Sequence, residues 1–205
     1  MSMKLRVVVP PHPLIAHWLT LLRDKRTPAP LYAKCLEELG RWLTYEALRD
    51  WLPHREEEVT TPQGKSIGTV IESNVPLLAL PEIPGGLELW HGGRNVLPNA
   101  QIFVGGVPDS IEGNTGIIIY IDQISDGENL LKILDDLSKQ NIDSRRIRVI
   151  SALAAKPGLQ NLGKKIPDLN IYCACIDPEI TDNGEIKPGI GNPSLRLSSK
   201  TSGLH

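Results

Sequence analysis

From residue 75 onward the chain alternates short apolar runs with stretches of helical spacing: Val75 to Leu80, Gly86 to Leu97, Gln101 to Val104, Gly116 to Asp122, Glu128 to Gln140, Ile147 to Leu153, Gly158 to Lys164 and Asn170 to Cys175. Parallel strands need a long crossover, usually a helix, so this alternation predicts βαβ units: an α/β chain with a mainly parallel sheet flanked by helices. Ligands of such sheets sit beyond the carboxyl ends of the strands, which directs attention to the loops after Leu80, Asp122, Leu153 and Ile176.

Ahead of that region, Lys4 to Val9 reads as a strand, and Pro10, Pro11 and Pro13 turn the chain before the apolar stretch Leu14 to Leu22. Leu31, Cys35, Leu36, Leu39, Trp42, Leu43 and Leu48 then recur at the spacing of one helix face, with Glu37, Glu38, Arg41, Glu46, Arg49 and Asp50 left for the wet side. Glu56 to Ser66 is polar, carries Thr60-Thr61-Pro62-Gln63-Gly64, and predicts an exposed turn or hairpin outside the core. Glu56-Glu57-Glu58 fits a solvated acidic turn.

Bulk properties exclude several classes of function. With 205 residues, a formal net charge of -2 and 22% charged residues, the chain fits one sizeable core and lacks the basic field that nucleic-acid binding needs. Its longest apolar runs are strand-length, far short of the roughly 20 residues of a membrane span. Met1-Ser2-Met3-Lys4-Leu5-Arg6 lacks the pattern of a signal peptide, and an odd three cysteines give no secreted-type framework, so an intracellular, cytoplasmic protein is expected. Cys173 and Cys175 share a strand face without a second pair, and His12, His17, His54, His91 and His205 show no ligand spacing, so no metal site is expected. Aromatic residues make up only 4% of the chain, yet it has four tryptophans. Trp18, Trp42, Trp51 and Trp90 are candidates for a subunit or foreign-protein contact, with core filling as the alternative.

Several separated, collinear segments resemble the uracil phosphoribosyltransferase family. They are His12-Pro13-Leu14-Ile15-Ala16-His17 with Leu19 to Lys25, Tyr45-Glu46-Ala47-Leu48-Arg49-Asp50, Thr61-Pro62-Gln63-Gly64-Lys65, Ile171 to Asp177, and Asn183 to Gly191. The resemblance implies a phosphoribosyltransferase-like domain over 1–197, a base-binding hood from about 1–30 and 176–197, a protruding hairpin, and a flexible tail at 198–205. It also implies a homo-oligomer, usually a dimer. The family's reaction joins uracil to phosphoribosyl pyrophosphate (PRPP), with magnesium, giving uridine monophosphate (UMP) and pyrophosphate. Tyr172, Ile186, Pro188, Gly189, Ile190, Gly191 and Asn192 are the implied uracil-hood positions; family acids are replaced by Asn192 and Leu195, while Arg196 is kept.

The ligand loops depart from the family pattern. Where the family has a run like Pro-Met-Leu-Ala-Thr-Gly-Gly-Ser after its acid, this chain has Asp122-Gln123-Ile124-Ser125-Asp126-Gly127-Glu128-Asn129, one residue shorter and with two added carboxylates. A helix start favours an anion by roughly 0.3–1 kcal/mol. A carboxylate about 4 Å from a phosphate charge costs on the order of 4 kcal/mol at an effective dielectric near 20. Ser125-Asp126-Gly127-Glu128 also has the form of a capping box, which predicts a helix starting near Asp126 and closed from within. At the pyrophosphate loop Pro84, followed by Gly85 and Gly86, stands in the place of the family's arginine, with His91 and Arg94 expected at the rim. The expected function is therefore a family-like protein, inactive or impaired as a transferase and needing no cofactor, that acts as a binding, regulatory or assembly factor. Its ligand would be uracil or a nucleotide, or its partner a protein. The alternative is an active uracil phosphoribosyltransferase using magnesium, with Asp122 and Asp126 around the metal. A third reading is a pure partner-binding module built on the tryptophans.

Overall fold

The computed structural model describes residues 5–97 and 99–198. Its centre is a sheet in which β4 (Leu77–Pro81) and β7 (Ile147–Ala155) are buried along their whole length, as is β6 (Gly116–Ile124) except at Asp122 and Gln123. Strands with so little exposed face belong between two helical layers. With β1 (Arg6–Val8), β5 (Gln101–Ile102) and β8 (Asn170–Cys173), the order is β1-β8-β7-β6-β4-β5, and β9 (Ile176–Asp177) pairs with β7. Every pairing in this sheet is parallel. The register sets Leu80 beside Ile119, Ile119 beside Val149 and Ile150 beside Tyr172.

Successive side chains on a strand face opposite sides, and the core divides accordingly. Ala79, Ile118, Tyr120, Ile150, Ala152 and Tyr172 pack with α1 (Pro13–Arg23), α2 (Ala29–Leu48) and α3 (Gly85–Gly93). Leu78, Leu80, Ile117, Ile119, Val149 and Ile171 pack with α4 (Glu128–Lys139) and α5 (Lys156–Lys165). Helices α2 and α3 meet backbone to backbone: a Cβ on Gly40 would stand 1.9 Å from the Leu89 carbonyl oxygen, and one on Gly92 would stand 1.7 Å from that of Glu37. That contact fixes α3, whose first residues, Gly85 and Gly86, are those expected at the pyrophosphate loop.

β2 (His54–Thr61) and β3 (Gly64–Ile71) form an antiparallel hairpin that stands outside the sheet, longer at both ends than the polar segment predicted. β5 is shorter than the run Gln101 to Val104 suggested. Beyond β8 the chain makes a small ribbon of β10 (Glu179–Ile180) and β11 (Ile186–Lys187), then α6 (Pro193–Ser198). Ser198 thus ends a helix instead of opening the tail; positions 199–205 lie outside the described residues. Among the described residues no helix is long and apolar enough to cross a membrane.

Candidate functional site

Strand β4 has β5 on one side and β6 on the other, so the order reverses there and a crevice opens beyond the carboxyl ends of β4 and β6. Asp122 and Glu82 face it. The Glu82 amide donates to the Tyr120 carbonyl at 2.8 Å, pinning the loop after β4 to β6. Burial, then the nearby Glu82 charge, pushes the Asp122 carboxyl up to about 7, against the opposing pull of the Gln123 and Gly85 amides. Burial also raises Glu82 above the usual carboxylate range.

The segment expected to form the pyrophosphate loop is pressed onto this acid. A Cβ on Gly85 would lie 2.5 Å from the Asp122 Cβ, and one on Gly86 would lie 2.2 Å from the Tyr120 carbonyl oxygen, so both positions require glycine. Pro84, preceded by a cis bond from Ile83, caps α3 without a side-chain hydrogen bond and brings no charge. His91 pairs with Glu88 at 3.1 Å and Arg94 is exposed at the far end of α3, in keeping with rim positions for both.

At the ribose-phosphate loop the structure corrects the capping prediction. Helix α4 begins at Glu128, not near Asp126, and its N-cap is Gly127 in the left-handed region at φ 85°. The Ser125 hydroxyl makes no cap. Asp126 Oδ1 instead accepts the Glu128 amide at 3.0 Å. Glu128 turns away, its Oε1 accepting from Asn161 at 2.8 Å, and the same Asn161 amide donates to the Asp126 carbonyl at 3.0 Å. The reason is the αL turn at Gly127, which reverses the chain and brings Asp126, not Ser125, under the helix start. Only part of the start is satisfied, because the amides of Asn129 and Leu130 meet no acceptor among the described residues.

The hood is tied down by two arginines. Arg23 meets Asp177 at 2.6 Å and the Gly189 carbonyl at 2.9 Å, while the Gly189 amide donates to Asp177 at 3.0 Å. The Asp177 hydrogen bond holds Arg23 above its ordinary range. Burial works against ionisation of Asp177, but Arg23 and the Gly189 amide keep its carboxyl below the usual range. Arg196 donates to the carbonyls of Leu22, Ile190, Asp24 and Thr27 and lies 4.2 Å over the Tyr32 ring. The turn between Ile186 and Gly191 uses positive φ at Gly189 and Gly191. Gln123 reaches from the end of β6 to the Gly191 carbonyl at 3.4 Å, bringing the hood turn over the crevice.

A family model described as uracil phosphoribosyltransferase matches residues 9–197. The chain belongs to the uracil phosphoribosyltransferase family. A protein of that name from Synechococcus elongatus is 38% identical, the match covering 96% of this chain and 98% of the relative. The chloroplastic uracil phosphoribosyltransferase of Arabidopsis thaliana is 34% identical over 95% of this chain and 71% of the relative. Among solved structures, the AQ2163 protein from Aquifex aeolicus superposes with a TM-score of 0.80 at 28% identity, covering 94% of this chain and 97% of that one.

Within the uracil phosphoribosyltransferase frame, one residue assignment changes. Tyr172 is not a hood residue: it sits in β8 between Val8 and Ile150, 1% exposed, because the strand's alternation turns it into the core below α2. Asn192 serves α6, its Oδ1 accepting the Leu195 amide at 3.2 Å. Ile186, Pro188, Gly189, Ile190 and Gly191 do come together beside Asp177 and Gln123.

Of the tryptophans, Trp90 is 6% exposed and packs edge-on against Tyr120, so it fills the core and offers no contact surface. Trp51 lies under Arg148, Trp42 stacks on His12, and these two with Trp18 are partly buried against the same core. Cys173 is a buried thiol, pushed up to about 12 by burial.

No group of three or more His, Cys, Asp or Glu side chains converges on a metal position among the described residues. Asp122 and Glu82, near enough for the Glu82 charge to raise Asp122, are the carboxylates that would hold a magnesium of the kind bound through one or two carboxylates and substrate phosphates. Glu82, Asn161 and the Arg23–Asp177 pair were missed in sequence because each acts across a long separation. The family-like segments that contain Arg23 and Asp177 were the hints to that pair.

Proposed function

We propose that this chain keeps the pyrimidine-binding end of the uracil phosphoribosyltransferase site and is attenuated at the PRPP end. The observation that carries this reading is the Asp126 carboxylate on the Glu128 amide at 3.0 Å, a fixed negative charge where the family places a phosphate. Pro84 adds to it by withdrawing the cation from the pyrophosphate loop. The hood, with its backbone turn locked by Arg23, Asp177 and Arg196, retains the groups that read a flat base edge. On this reading the protein is a pyrimidine-binding regulatory or assembly factor. A thermal-shift series with uracil, UMP and PRPP tests it, since a ligand at about 100 times its dissociation constant stabilises by about 2.7 kcal/mol. Uracil or UMP is expected to raise the melting temperature and PRPP alone to leave it unchanged. A flat response to uracil and UMP overturns the reading.

A second reading is the family's own reaction, UMP and pyrophosphate from uracil and PRPP. The relatives' names favour it more directly than they favour attenuation, because they carry the enzyme name along nearly the full length of this chain. The unpaired amides of Asn129 and Leu130 also leave donors for a phosphate. Magnesium on Asp122 and Glu82 would then offset their charge and polarise the leaving pyrophosphate. The hood backbone would hold the base, and Gln123 would span the base and phosphate ends. A shift with PRPP and magnesium in the same series favours this reading.

A further inference from the structure

Gln123 stands where the family's ribose-phosphate run opens with proline after its acid, so a carboxamide replaces a ring that has neither donor nor acceptor. Its register partner in β7 is Leu153, which packs in the same core cluster as Ile186 and Ile190 of the hood turn. Gln123 thus lies on the hood side of the sheet, half-buried, and its Nε2 donates to the Gly191 carbonyl at 3.4 Å. A carbonyl oxygen only accepts, so the end of the carboxamide that meets it is the amino end. This contact fixes which way round the group sits. Oε1 accepts from none of the described residues, and one N–H of Nε2 is left over beside it.

An acceptor and a donor side by side match a lactam edge, in which a ring N–H adjoins a carbonyl. Cytosine presents the reverse order there, a ring-nitrogen acceptor beside an amino donor. A freely turning carboxamide suits either edge. Held on Gly191, this one meets the cytosine order only by setting Oε1 against the Gly191 oxygen, acceptor against acceptor. We propose that Gln123 is a specificity-determining residue of the base end, selecting the lactam edge of uracil over the amino-pyrimidine edge of cytosine. The proposal rests on the hood reading above and adds one side chain to the backbone groups of the turn.

The test is calorimetric titration of the full chain with uracil and with cytosine, in wild type and in Gln123→Met. Methionine keeps much of the length and bulk of glutamine without its polar atoms. Wild type is expected to bind uracil more tightly than cytosine, and Gln123→Met to lower that ratio by roughly three- to tenfold, the worth of about one net hydrogen bond. Gln123→Ala should lower it equally. Both variants should keep the wild-type melting temperature without ligand, which separates lost selectivity from a lost fold. A side chain that merely tethers the hood would weaken uracil and cytosine alike and leave the ratio where it was. An unchanged ratio in both variants while uracil still binds, or tighter binding of cytosine than of uracil by wild type, overturns this proposal and leaves a pyrimidine-binding hood standing. Absence of uracil and UMP binding to wild type overturns the hood reading, and this proposal falls with it.

Discussion

The Asp126 carboxylate accepts the amide of Glu128 at 3.0 Å, so the start of α4 carries its own anion. Asn161 secures the arrangement from α5 by holding both the Asp126 carbonyl and the Glu128 carboxylate. Replacing Asp126 by Thr keeps a capping oxygen and removes the charge. The expected result is a stability change within about 1 kcal/mol and a gain of roughly tenfold or more in affinity for UMP, whose phosphate then meets a neutral loop. Calorimetry on the two proteins checks it.

Asp122 predicts a pH dependence. Its carboxyl is raised to about 7 in the folded protein, above the ordinary value of about 4, so the folded state holds its proton more tightly than the unfolded chain. The stabilisation is complete at low pH and is lost as the pH rises through about 7. Asp122→Asn cannot ionise. Its stability should match wild type below about pH 4, exceed it increasingly between about pH 4 and 7, and stay ahead by on the order of 4 kcal/mol near about pH 9, measured by urea unfolding.

The Arg23–Asp177 pair predicts the opposite slope. Asp177 is held below its ordinary range, so its contribution is present above about pH 4 and fades as the pH falls through the folded value. Arg23→Ala leaves a buried carboxylate without its cation. With the Arg23 side chain 24% exposed, a cost of about 2–3 kcal/mol at neutral pH is expected, below the 3–5 for a fully buried pair. The gap from wild type should narrow in acid, as urea midpoints at about pH 7 and about pH 3 would show.

Gly158 lies under the loop: a Cβ there would stand 2.3 Å from the Ser125 carbonyl oxygen. Gly158→Ala should displace Ser125 and Asp126 and destabilise by about 1–3 kcal/mol. Hydrogen exchange at the start of α4 should rise in this variant. Unchanged exchange would show that the loop tolerates the added methyl group.

The sheet was legible because the runs at Leu77, Gly116 and Ile147 are apolar with little interruption, the latter two rich in isoleucine or valine, a pattern that burial on both faces explains. The crevice beyond β4 and β6 followed from that topology. The cap at α4 was misread because Ser-x-x-Glu spacing is local, whereas the αL turn at Gly127 and the reach of Asn161 from α5 settle the outcome. Tyr172 was misplaced because the family-like segment Ile171 to Asp177 runs across the end of β8 at Cys173, and the strand's alternation turns Tyr172 into the core. Glu82 became meaningful only once the fold placed it within 3.4 Å of the Asn129 carboxamide, 47 residues away in sequence.

The most direct test of the attenuated site is the initial rate of UMP formation from uracil and PRPP with magnesium at saturating substrate. The account predicts turnover well below about 1 per second, with Asp126→Thr faster than wild type. A wild-type turnover within the ordinary range of about 1–1000 per second would contradict it and establish the family's enzyme.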